Sequence, residues 1–212
     1  MVAIDGPAAS GKSCVARILA LKLGFIYVNS GAMYRAVTWY VLQKGVSTSD
    51  PEQVVPLLND IRVECGLSGQ KSTISINGVD SSQFLNGQEV NHNVSNIASI
   101  REVRELLVAK QRLYAVDSDL VMEGRDIGSV VFPHTPFKFY TDASLEVRAL
   151  RRARQGLQDE IGARDRRDSS RRASPLIIAE DAHVIDSSHL TIDGVVGEII
   201  GRLKLKGLKI NE

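Results

Sequence analysis

Apolar residues along this chain come in short runs separated by amphipathic stretches, and the two alternate over most of its length. Val2-Ala3-Ile4, Phe25 to Val28, Leu120 to Met122, Phe137 to Tyr140 and Val184-Ile185 are too short for helices. Each is expected to form a buried strand. Helical patterns lie between them. Val15, Ile18, Leu19 and Leu23 recur at helical spacing and stop at Gly24, and Ala32 to Lys44 closes at Gly45. Asp50-Pro51 opens another helix, with aspartate as N-cap and proline in the first turn, where a missing N–H costs nothing. Arg101 to Val116 carries Val103, Leu106, Leu107 and Leu113 on one side, while Ser144 and Thr191 cap two later helices. Alternating elements imply an α/β domain, a parallel sheet wrapped by helices, with ligands at the carboxyl edge of the strands.

One stretch departs from this alternation. From Ile61 to about Asn86 the period is two (Ile74, Ile76, Val79), and Asn77-Gly78 is a favoured hairpin turn. We expect a small antiparallel β insert standing on the core, with residues 1–60 and 96–212 in the core and 61–95 in the insert.

The strongest chemical signal follows the first strand. Gly6-Pro7-Ala8-Ala9-Ser10-Gly11-Lys12-Ser13 fits the G-x-x-x-x-G-K-S phosphate loop, set between a strand-like run and a helical pattern as that motif requires. The glycines let successive N–H groups curl around one anion, and Lys12 reaches the β- and γ-phosphates. The Ser13 hydroxyl is a candidate Mg²⁺ ligand, and the helix that starts there turns its positive end to the phosphates. A nucleoside triphosphate is therefore the expected ligand.

Composition narrows the setting. The 212 residues suit one domain with a small insert, and 43% hydrophobic with 24% charged residues is usual for a soluble globular chain. No apolar stretch approaches the ~20 residues of a membrane span. The first residues already read as a strand, so no signal peptide is expected. Cys14 and Cys65 lack metal-ligand spacing and are expected as reduced thiols, and His92, His134, His183 and His189 are scattered. These features predict a cytoplasmic protein without a membrane partner. A net charge of +1 and 5% aromatic residues argue against nucleic-acid binding. No exposed apolar stripe is legible beyond what the sheet needs, so a monomer is expected. The charge is uneven, however. Between Arg148 and Arg172 there are nine arginines and no lysine, against four acids. Guanidinium groups without ammonium groups suit bidentate binding of phosphate or carboxylate.

A triphosphate loop serves kinases, GTPases and motor ATPases alike, so the second ligand must come from elsewhere. The chain contains no Asn-Lys pair for the N-K-x-D guanine-reading motif. Three clusters fall where a sheet edge would place them: Ser30-Gly31-Ala32-Met33-Tyr34-Arg35, then Glu123-Gly124-Arg125-Asp126-Ile127-Gly128, then the lid-like run Arg164 to Arg171. With the loop GPAASGKS, the segments NSGAMYRAVT, EGRDIGSVVFP, RDRRDSSRRASPL and DSSHLTIDGVV resemble, over nearly the full length, the bacterial cytidylate kinases of the nucleoside monophosphate kinase superfamily.

The resemblance implies ATP on Gly6 to Cys14 (Gly6, Pro7, Ala8, Ala9, Ser10, Gly11, Lys12, Ser13 and Cys14), Mg²⁺ at Ser13, and CMP or dCMP between core and insert. The insert at 61–95 would then be the monophosphate-binding region, and a short arginine-rich lid would cover about 154–170. Ser30 and Arg35 match residues that hold the acceptor. Ser95 and Arg104 match those that hydrogen-bond cytosine, and Asp126 matches the partner of its exocyclic amine. Arg125 corresponds to a phosphate-binding position, Arg164 and Asp168 to the pair over the sugar, and Arg171 closes the group from the lid side. Lys12, Arg125, Arg164 and Asp168 are the expected catalytic set. Such a site can tell cytosine from uracil, because uracil would set a carbonyl against Asp126. Two departures stand out: Asn29 replaces an aspartate usual in the family, and the segment from Arg154 to Arg164 is short.

Overall fold

The computed structural model describes residues 1–154, 161–171 and 174–210. The first half runs β1 (Val2–Asp5), α1 (Lys12–Leu23), β2 (Ile26–Asn29), α2 (Ser30–Gln43), α3 (Pro51–Leu57), β3 (Val63–Ser68), β4 (Lys71–Ile76), β5 (Val79–Asp80) and α4 (Gln88–Ile97). The second half runs α5 (Arg101–Leu113), β6 (Leu120–Gly124), β7 (Lys138–Asp142), α6 (Leu145–Arg154), α7 (Ile161–Ser169), β8 (His183–Asp186) and α8 (Ile192–Leu205). Among the described residues one sheet holds all the strands, in the order β3-β4-β2-β6-β1-β7-β8, with β5 on the flank of β4. The pairs β2–β6, β6–β1, β1–β7 and β7–β8 are parallel, as the alternation of runs predicts.

Val2, Ala3 and Ile4 have no exposed surface, which explains why β1 reads as an unbroken apolar run. One core joins β1, β6 and β7 to α1 and α8 through Val15, Leu19, Val121, Phe139 and Ile199. A second core joins α2, α4 and α5 to the hairpin strands through Val37, Val41, Ile76, Ile97 and Leu107. The caps fall where the sequence places them. Asp50 accepts from the Glu52 and Gln53 N–H groups, Thr191 from Gly194 N, and Ser144 from Val147 N.

The hairpin region differs from expectation in three respects. Its long hairpin, β3–β4, turns at Gly69-Gln70, and Asn77-Gly78 instead joins β4 to the two-residue β5. Both turn residues have positive φ, 52° and 78°, as a two-residue hairpin of this kind demands. Nor does the hairpin stand apart on the core. It lengthens the same sheet, with β4 parallel to β2 at Tyr27–Lys71 and Tyr27 N donating to Gln70 O at 2.8 Å. A period of two identifies a strand but says nothing about which neighbour it takes. Finally, α4 follows in a segment the sequence left unassigned, and it runs past residue 95 into the core.

Asn77 also accepts from Arg62 N at 2.6 Å, tying the hairpin to the end of its own loop. Asn77→Ala should destabilise the fold by about 1–2 kcal/mol, since alanine tolerates this backbone poorly and offers no acceptor. Asn77→Gly should recover the backbone part. Equal urea midpoints for the two variants would contradict this account.

Candidate active site

The carboxyl ends of the parallel strands meet at one edge, where Asp5 lies in register with Gly124 and Tyr140, and Asn29 with Glu123. The chain leaves β1 through Gly6, whose position admits no side chain: a Cβ there would lie 2.1 Å from the Thr141 carbonyl oxygen. The phosphate loop then turns into α1. Gly11, at φ 91°, is its N-cap and no side chain caps the helix, so its first N–H groups are offered to a ligand. Ala9 holds φ 59°, an uncommon conformation for a residue with a Cβ.

Lys12 is buried at 7% exposure, with its Nζ donating to Pro7 O at 2.9 Å. Burial, and then the Arg125 guanidinium, push its ammonium down to about 7 against the opposing pull of Glu123. Asp5 fixes the far side of the loop. Its two carboxylate oxygens accept from Ile127 N at 2.8 Å and Gly128 N at 2.7 Å, which locks the turn that follows β6. Burial outweighs those bonds and raises the Asp5 carboxyl to about 7.

That turn carries Arg125 and Asp126. Asp126 is buried and paired with Arg104, whose Nη1 also donates to Ala98 O at 3.2 Å. Burial raises the Asp126 carboxyl even though Arg104 and Arg171 oppose it. Arg125 donates from Nε to Asp168 at 2.8 Å and from Nη1 to Gly6 O at 2.8 Å. Asp168 also accepts from Arg171 and, at 3.1 Å, from the Ser95 hydroxyl. Burial would raise this carboxyl, but Arg125 and Arg171 outweigh it and hold it below the usual carboxylate range. The Arg164 guanidinium is brought down to about 9 by burial, then by Arg125 and Arg35.

Apart from Asp5, these charged groups share one cleft of about 470 Å³. Ala8 to Cys14, Ser30, Arg35, Ser95, Arg104, Arg125, Asp126, Arg164, Asp168 and Arg171 all line it. Gly6 and Pro7 do not; they shape the loop from behind through their carbonyls. Of the expected lid at 154–170, Arg154 and residues 161–170 are described, and 155–160 lie outside the described residues. Arg35 Nε donates to Asn91 Oδ1 at 3.3 Å, and Ser30 Oγ to Glu123 O at 2.7 Å. Asn29 caps α2, accepting from Ala32 N at 3.1 Å.

Several further residues complete the site, among them Glu123, which the sequence places in the acid–arginine cluster without a role of its own. Glu123, 3% exposed, reaches the cleft while accepting from the Tyr27 hydroxyl at 3.2 Å. Its place at a strand end beside Arg125 was the available signal. Ser187 donates to Ser10 O at 2.9 Å and takes Arg151 on its own carbonyl at 2.6 Å, bracing the phosphate loop from the β8 side. Leu190, Ile192 and Val195 give that end of the cleft an apolar wall.

The buried Nε donors of Arg104 and Arg171 have no partner among the described residues, as expected where an acceptor-rich ligand completes the site. Ser13 and Glu123 supply hard oxygen donors suited to Mg²⁺. The described residues form no cluster of three or more His, Cys, Asp or Glu able to hold a metal.

A mostly parallel sheet with a phosphate loop after β1, between β6 and β7, and a guanidinium-rich cleft at its carboxyl edge defines a P-loop phosphotransferase. The family model for cytidylate kinase matches residues 2–205. A cytidylate kinase from Desulforamulus reducens is 44% identical over 210 residues, covering 94% of each chain. One from Ligilactobacillus salivarius is 40% identical with the same coverage. A crystal structure of an uncharacterised protein from Eubacterium ventriosum shares the fold, with a TM-score of 0.51 at 12% identity over 96% of this chain and 97% of the other. The chain belongs to the cytidylate kinase family.

A lysine held near pH 7 must take up a proton when a polyanion arrives beside it. Binding of an ATP analogue at pH 8 should therefore consume close to one proton, and at pH 6 almost none. Calorimetry in buffers of different ionisation enthalpy reads this directly. No uptake at pH 8 would show that Lys12 is already charged in the free protein.

Proposed function

We propose that this protein transfers the γ-phosphoryl group of ATP to the 5′-phosphate of CMP or dCMP, giving ADP and the cytidine diphosphate. One observation carries the reading: the phosphate loop and the buried Arg104–Asp126 pair open on the same cleft. In this reading ATP lies on Gly6 to Cys14, with its base toward the wall of Leu190, Ile192 and Val195. CMP lies across Ser95, Arg104 and Asp126, with its phosphate toward Ser30, Arg35 and Arg125. The insert at 61–95 belongs to the acceptor side, which Ser95 shares.

The acceptor phosphate oxygen is already a competent nucleophile, so no covalent intermediate on the chain is required. The protein's work is positioning and charge. Lys12, Arg125 and Arg164 neutralise oxygens as charge spreads over the transferred group, and Asp168 holds Arg125 in place. Ser13 and Glu123, together with the substrate phosphates, would hold Mg²⁺, which would supply further charge neutralisation. Cytosine presents a donor at its amine and acceptors at N3 and O2. The Asp126 carboxylate and the arginine and serine donors match that edge, and the unpartnered Arg104 Nε supports the match. A cytoplasmic monomer acting on free nucleotides completes the reading; the net charge of +1 supports the lack of a nucleic-acid partner.

The test is ADP release with MgATP across CMP, dCMP, UMP, AMP and GMP. Turnover confined to CMP and dCMP is expected, and faster turnover with a purine monophosphate would overturn the acceptor assignment. Lys12→Ala should lower kcat by about 10²–10³-fold or more without loss of fold. Asp126→Asn should cut kcat/KM for CMP by about 100-fold while changing that for UMP far less. Parallel losses for both pyrimidines would show that Asp126 does not read the base.

A further inference from the structure

Two carboxylates three residues apart on α7 bind opposite halves of the site. Asp165 accepts from the N–H of Ala8, a backbone donor of the phosphate loop, at 3.2 Å. Its other oxygen pairs with Arg148. Arg148, largely buried, donates in turn to the carbonyls of Ala8 at 3.2 Å and Ala143 at 2.9 Å. The carboxylate and guanidinium thus grip both backbone groups of one loop residue. Asp168 reaches the other way, to Arg125, Arg171 and Ser95. A spacing of three puts the two acids on one face of the helix, so a rigid rod is pinned at one point to the donor loop and at the next turn to the acceptor pocket.

Neither Arg148 nor Asp165 lines the cleft, so neither is placed to touch substrate. Their side chains are 10% and 17% exposed, which shields the pair from solvent. The Asp165–Ala8 contact binds no ligand yet joins the two halves that do, alongside the bond from Arg125 to the Gly6 carbonyl, so it is placed to relay one half to the other. We infer that Asp165 is a positioning residue that couples the two nucleotide sites. Occupation of the phosphate loop restricts Ala8 and its neighbours. Through Asp165 that restriction passes to α7, which sets Asp168, and with it Arg125 and Ser95, for the acceptor. Linkage makes the effect reciprocal, so each nucleotide raises affinity for the other by the same factor. The inference rests on the ATP and CMP sites proposed above, and adds that they communicate through α7.

The experiment measures CMP affinity by calorimetry with and without a non-hydrolysable MgATP analogue, in the wild type and in Asp165→Asn. The wild-type ratio should be about tenfold, within the usual range for such couplings. Asp165→Asn keeps the side chain's shape and removes its charge. It should reduce the ratio to below about twofold while CMP alone binds within about threefold of wild type. A carboxylate with a purely structural role would lower the melting temperature and leave the ratio intact, and that result overturns the inference. A wild-type ratio of one overturns it as well. Absence of CMP binding to the wild type would instead defeat the proposed function. Should Asp165→Asn fail to fold, Arg148→Lys is measured the same way. An ammonium keeps the charge but cannot bridge Asp165, Ala8 and Ala143 together, so the ratio should still fall at least about twofold; an unchanged ratio overturns the inference.

Discussion

The buried carboxylate of Asp168 sets the shape of this cleft. It is 1% exposed and accepts from Arg125, Arg171 and Ser95, groups brought by the turn after β6, the end of α7 and α4. Without a negative charge at that point the guanidiniums would repel one another across a water-poor space, and loss of one partner from such a cluster costs about 3–5 kcal/mol. The same carboxylate fixes the direction of Arg125, whose other arm reaches the Gly6 carbonyl at the root of the phosphate loop. Three separate parts of the chain therefore meet at one acid.

The sheet makes that meeting possible. β1 is flanked by β6 and β7 in parallel register, so the phosphate loop and the Arg125-Asp126 turn emerge side by side. Asp5 joins them by holding two amides of the neighbouring turn, and this fixes the turn that carries Asp126 against Arg104. The site is a property of the register first and of its side chains second.

Local features were legible in the sequence, and long-range ones were not. The phosphate loop, the Asp50, Ser144 and Thr191 caps and the Asn77-Gly78 turn each depend on residues a few positions apart. The α4 helix had a signal that went unused: Val90, Val94 and Ile97 lie on one face, diluted by asparagines and a histidine that serve the neighbouring loop and solvent. Membership of β4 in the main sheet left no trace in its own pattern, because a parallel bridge to β2 depends on residues over 40 positions away. Most candidate site residues came from a family resemblance, and the cleft gathers all of them except Gly6 and Pro7, which stand behind it. Glu123 and Asp165 fall in clusters the sequence singles out but take no individual role there, because their partners, Tyr27 and Ala8, are 96 and 157 residues distant.

Burial and neighbouring guanidiniums disfavour the charged forms of Lys12 and Arg164 in the ligand-free cleft. Cations that resist being charged oppose the fold that crowds them, and phosphates relieve that opposition on arrival. Nucleotide binding is in this sense part of folding: ligand at a hundred times its dissociation constant adds about 2.7 kcal/mol to stability. Starved of nucleotides, the chain spends more time open and within reach of proteases. Its resistance to unfolding is thus tied to the nucleotides that its cleft binds.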